Sequence, residues 1–96
     1  MTEVDKMVLE NGSPELIRKQ TMYSLFDLAR ASALVQYPKD SRVYKLGIER
    51  CTTVIDFFKN VLDQHPEILS PEELVRIKEV VFVHEKTKQY HNITSA

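Results

Sequence analysis

The chain has no tryptophan, one cysteine and two glycines among its 96 residues, and each shortage removes a class of function. One cysteine can neither close an internal disulfide nor supply a paired-thiol zinc or redox motif. Two isolated glycines leave no glycine-rich loop of the kind whose backbone wraps a phosphate chain. There is no apolar run of about eighteen residues that would read as a membrane span, and no signal-peptide pattern. An excess of charge is missing as well. Thirteen Lys and Arg stand against fourteen Asp and Glu, a net charge of -1, so the chain lacks the overall positive field that duplex nucleic acid recruits. A small anion held by a local patch is not excluded. The expectation is a reduced, soluble, cytoplasmic protein without a membrane or duplex partner.

What is present is the composition of a folded domain, 43% hydrophobic and 28% charged. A chain of this size forms one domain, residues 1–96, and buries only about two-thirds of its unfolded surface. Its core is therefore modest unless another copy completes it.

The organisation reads as all-α. Residues 1–12 form an N-terminal arm, a loose extension or one short helix, ending in the turn signal Asn11-Gly12. Ser13-Pro14-Glu15 then gives an N-cap, a proline suited to the first helical position and a first-turn anion. The helix that starts there carries a broad apolar stripe through Leu16, Ile17, Tyr23, Leu25, Phe26 and Leu28. It should end at Tyr37, because Pro38 disfavours a helical residue before it. A second helix begins at Asp40 or Ser41 as N-cap and places Tyr44, Gly47, Ile48, Cys51, Val54, Ile55, Phe58 and Val61 at three- and four-residue spacing. The short connection makes these two helices an antiparallel hairpin. Pro66 stops the second, and Ser70-Pro71-Glu72-Glu73, a capping box with proline at the first position, starts a third. Val80-Val81-Phe82-Val83 has strand-like branching, but the cap and the polar spacing favour helix. The tail, residues 92–96, should fray, and Asn92-Ile93-Thr94 matches a glycosylation acceptor only by chance.

No catalytic constellation emerges. Cys51 lies on an apolar stripe and reads as a buried structural thiol. His84 and His91 share a helix face but stand about 10 Å apart along the axis, too far to chelate one ion unaided. The carboxylates are scattered over solvated faces. No cofactor, metal or enzymatic activity is expected.

The stretch "YPKDSRVYK", residues 37–45, admits two readings. In one, it is a turn, with Asp40 or Ser41 capping, the cations solvated and the tyrosines packed on the hairpin. In the other, Arg42, Lys45 and Lys39 gather with Ser41 at a helix N-terminus whose free N–H groups suit a phosphate. Tyr37 and Tyr44 then offer flat faces for stacked bases.

The run Pro38-Lys39-Asp40-Ser41-Arg42, then Leu46-Gly47-Ile48, a cation at Arg50 and an aromatic at Phe57, resembles the helical hairpin of phage anti-CBASS sponge proteins. The preceding "FDLARASALVQYP" is similar to the first helix of that hairpin, and the likeness covers roughly residues 25–62. The chain departs from the family pattern by one extra residue between Pro38 and Ser41, by Thr52-Thr53 where acidic residues are usual, and by phenylalanine in place of tryptophan. The resemblance implies a compact all-α homo-oligomer, hexameric in the best-known members. Such proteins capture cyclic di- or trinucleotides in the host cytoplasm without cleaving them, which starves a bacterial defence effector of its signal. The alternative is a small helical adaptor or inhibitor that binds a protein partner through the apolar face of the first or third helix.

Overall fold

The computed structural model describes residues 1–94, with side chains through residue 86. Four α-helices follow one another: α1 (Glu3–Asn11), α2 (Pro14–Leu34), α3 (Arg42–Gln64) and α4 (Pro71–Thr94), with a single 3-10 turn at Pro66–Ile68 before α4. No strand occurs among the described residues, so the chain is all-α, and Val80-Val81-Phe82-Val83 is helical.

Of the two forms open to the N-terminal arm, it takes the short helix, and it is docked. Thr2 and Asp5 form a capping box. The Asp5 carboxylate also accepts from Gln20 Nε2 at 3.3 Å, tying α1 to α2. Val8 and Leu9 enter the core from its inner face. Ser13 caps α2 as its sequence signature implies, accepting from the Leu16 N–H at 3.2 Å. This helix ends at Leu34, short of the expected Tyr37. The backbone tightens first: Gln36 N–H donates to Ala33 and Tyr37 N–H to Leu34, the three-residue reach of a closing turn. Pro38 forces Tyr37 out of helical geometry, and the chain uses the residues before it to turn.

Helices α2 and α3 run antiparallel. Gly47 of α3 lies against Ala31, Leu34 and Val35, and farther along α3 Arg50 meets Asp27, earlier on α2. The close approach depends on Gly47, where a Cβ would fall 2.8 Å from Leu34 Cβ and 3.1 Å from the Ala31 carbonyl oxygen. Gly47→Ala should therefore destabilise the fold by about 1–3 kcal/mol despite alanine's better helix propensity. A lower thermal midpoint in circular dichroism is the expected result, and a raised midpoint would mean that the helices separate at little cost.

Around this hairpin the core is built from Val8, Leu9, Ile17, Leu28, Cys51, Val54, Ile55, Phe57, Phe58, Val61 and Ile77, with Leu74, Val80 and Val81 of α4 packed on its edge. The start of α4 is fixed twice. Glu73 reaches back to the Ser70 N–H at 2.9 Å while its own N–H donates to Ser70 Oγ. The same carboxylate takes a two-pronged bond from Arg18 of α2, 3.1 Å from Nε and 2.6 Å from Nη2. The Arg18 guanidinium, with the Ser70 N–H, pulls the Glu73 carboxyl down to about 2. A depressed carboxylate contributes stability above its unfolded pKa and loses it as pH falls through the folded value. Acid unfolding of the wild type should accordingly include a component between the ordinary glutamate range and about pH 2. Glu73→Gln should remove that component from a pH series of melts, and an unchanged acid limb would contradict it.

The backbone of α4 continues through Thr94, past Asn92 where fraying was expected. Ser95 and Ala96, and the side chains of His91 and of the Asn92-Ile93-Thr94 acceptor, lie outside the described residues. No described helix is long and apolar enough to cross a membrane.

Candidate functional site

Of the six residues singled out in the sequence, Tyr37, Lys39 and Ser41 lie on the turn from α2 to α3, and Arg42, Tyr44 and Lys45 lie at the start of α3. Ser41, rather than Asp40, is the N-cap of α3: its Oγ accepts from the Tyr44 N–H at 3.1 Å. The same hydroxyl donates to the Pro38 carbonyl at 2.6 Å. Pro38 also accepts from the Ser41 N–H at 2.9 Å, so the loop is closed on itself by one residue. Ser41 is thus a positioning group with its hydroxyl already engaged. The N–H groups of Arg42 and Val43 remain as the open donors of the helix end.

Lys39, Arg42 and Lys45 are exposed, and none of them forms an ion pair among the described residues. Arg42 and Lys45 stand one turn apart on α3. The first turn of α3 has no acidic residue, whereas α1, α2 and α4 carry Glu3 and Asp5, Glu15, and Glu72 and Glu73 there. Cations beside the positive end of a helix dipole repel it, and a bound anion would relieve that repulsion.

The two tyrosines part company. Tyr37 is exposed on the loop. Tyr44 is half-buried, on the stripe that continues inward through Gly47 and Cys51. Phe57, the aromatic of the family pattern, is fully buried and out of reach of any surface ligand.

A second feature escaped the sequence reading. Between α2 and α3 lies a half-open groove of about 210 Å³, lined by Asp27, Arg30, Ala31, Leu34, Leu46 and Arg50. Arg50 Nη1 is 3.6 Å from Asp27 Oδ2 across it. Arg50 lies about 12 Å beyond Arg42 along the helix axis, while Leu34 and Leu46 bring the near end of the groove up to the turn. Ligands of drug size occupy pockets of about 300–1,000 Å³, and this groove is below that range. Hairpin register makes it: Leu46 and Arg50 were visible as motif residues, but their partners on α2 were not.

The remaining titratable groups fit structural roles. Burial pushes the Cys51 thiol up, against a hydrogen bond with the Ser32 side chain. Burial lowers half-buried His84, while neighbouring Glu85 opposes the shift. No group of three or more metal-ligating side chains converges among the described residues.

No protein family, curated protein or solved structure matches the chain.

Proposed function

We propose that the chain is a non-catalytic sponge that sequesters cyclic di- or trinucleotide signals of CBASS-type immunity, acting as a homo-oligomer in the cytoplasm of the cell where those signals are made. The observation that carries the reading is the trio Lys39, on a self-closed turn, and Arg42 and Lys45, at the start of the helix that follows, all exposed and without ion pairs among the described residues, at a helix end with no acid in its first turn. The likeness of residues 25–62 to anti-CBASS hairpins supports the same assignment. In this reading a phosphate takes the Arg42 and Val43 N–H groups and the Arg42 guanidinium, the lysines supply charge, and Tyr37 stacks on a base. Half-buried Tyr44 offers the exposed part of its ring as a second stacking face. No bond is made or broken, and release of intact nucleotide follows from that.

Lys39, Arg42 and Lys45 stand on an open surface of one chain, so capture of a whole cyclic nucleotide there calls for a second copy to supply the opposite wall. The test is calorimetry of the purified protein against a panel of cyclic di- and trinucleotides, with the recovered ligand assayed for integrity. Saturable binding and intact ligand are expected. Absence of binding across the panel would remove the reading in favour of the helical adaptor, for which α4 presents Val75, Phe82 and Val83 to solvent.

A further inference from the structure

We propose that the groove between α2 and α3 is a base pocket that selects guanine, with Asp27 and Arg50 reading the edge of the ring and Arg30 covering its face. The proposal rests on the sponge reading and deepens it, because it names the captured cyclic nucleotides as guanine-containing ones.

The groove is concave, about 210 Å³ and half-open, and Ala31, Leu34 and Leu46 give it an apolar lining. Its polar groups are few and stand together. Asp27 of α2 and Arg50 of α3 meet with 3.6 Å between Oδ2 and Nη1, and Arg30 lines the same hollow. That separation is longer than a hydrogen bond, and none of the three side chains makes a hydrogen bond among the described residues. One carboxylate and two guanidinium groups therefore keep their bonding capacity for a ligand. An apolar hollow with a small number of convergent polar groups is the form of a small-molecule site, and one below drug size suits a single flat ring system.

Chemistry narrows the occupant. A second phosphate is disfavoured, because the Asp27 carboxylate repels it. The carboxylate calls for donors, and the guanidinium beside it calls for acceptors. Guanine sets two donor groups, N1–H and the N2 amino group, side by side on one edge, with the O6 acceptor next to them and N7 beyond. Asp27 accepts from the donor pair while Arg50 donates to O6 and N7, the contact by which arginine reads this base in nucleic acids. Adenine turns the lone pair of its N1 toward a carboxylate so placed, and uracil and cytosine each present one donor group on that edge. Stacking under a guanidinium plane is open to every base, so the edge selects.

Position ties the pocket to the turn. Arg42, Leu46 and Arg50 follow one another at four-residue spacing on α3, a ridge with about 6 Å of rise per step. A phosphate at the Arg42 end and a base between Leu46 and Arg50 lie in the order in which a nucleotide presents them. Two arginines against one aspartate leave the groove cationic, which suits a ligand with a phosphate next to its base.

The experiment is calorimetry of the full chain with cyclic di-GMP and cyclic di-AMP, repeated on Asp27→Asn and Glu49→Gln, with circular dichroism as the folding control. Wild type should bind the guanine ligand about ten- to a hundredfold more tightly, the discrimination of a good two-pronged base contact. Asp27→Asn should erase most of that preference with helicity unchanged, since the ion pair it weakens is long and partly exposed. Glu49→Gln removes the same charge from an exposed residue that adjoins Arg50 but does not line the groove, and should keep the preference. Equal affinity for the two ligands overturns guanine selection and leaves the sponge reading standing. A preference that survives Asp27→Asn, or that Glu49→Gln erases as well, overturns the role given to Asp27. Binding of neither ligand overturns this proposal, and the wider panel of cyclic nucleotides then decides the sponge reading.

Discussion

Phe58→Ala should lower the free energy of unfolding by about 3–5 kcal/mol, the range for an aromatic truncated in a closed core. Phe58 is fully buried, and its ring lies 6.3 Å centroid to centroid from that of Phe57, also fully buried. Small domains have about 5–15 kcal/mol in total, so the loss consumes much of the reserve. The cavity opens between helices rather than at an edge, because α3 is packed by α2 on one side and by α4 on another. Denaturant titration of wild type and variant gives the difference directly. A shift of less than about 1 kcal/mol would mean that α4 slides to fill the space.

Arg42→Ala should weaken binding of a cyclic oligonucleotide about ten- to a hundredfold, roughly 1.5–3 kcal/mol, with the melting temperature nearly unchanged. The guanidinium presents two donors in a fixed plane and stands beside the open N–H groups of α3, so a phosphate there is held by side chain and backbone together. Lys39→Ala and Lys45→Ala should cost less, since an ammonium on a flexible stem has no such geometry. Tyr44→Ala should also impair binding, through loss of the half-buried ring, whereas Tyr44→Phe keeps the ring and should be tolerated. Calorimetry on the five variants separates these contributions. Equal affinity for Arg42→Ala and wild type would reduce residues 37–45 to a connection between helices.

Local chemistry made much of this architecture legible before any coordinates. Ser13-Pro14 and Ser70-Pro71-Glu72-Glu73 announce helix starts because caps and first-turn prolines act within four residues, and both helices begin where those signals stand. The end of α2 was harder. Pro38 bars helix at Tyr37, but how many earlier residues the turn consumes depends on where α3 must land, which is a tertiary matter. Periodicity found Phe58 and passed over Phe57 for a related reason: a helix packed by two neighbours buries a wide arc, and adjacent residues then both turn inward. The groove illustrates the limit most sharply. Arg50 stands in the sequence only as a motif cation and Asp27 as a surface charge, and only the antiparallel register brings them face to face. Of the two cap candidates, Asp40 and Ser41, the structure uses Ser41, whose hydroxyl accepts from the Tyr44 N–H and donates to the Pro38 carbonyl.

The double engagement of Glu73 has a bearing on the order in which the molecule assembles. Helices α2 and α3 are neighbours along the chain and meet through a short turn, so their pairing needs little loop closure. Arg18 and Glu73 are 55 residues apart, and their contact closes most of the polypeptide into one loop. The hairpin is therefore the natural nucleus and α4 the last piece to arrive, with the Arg18 clamp as its latch. In amide exchange, α4 should open ahead of the hairpin, and raised salt, which screens the exposed guanidinium, should widen the gap between the two.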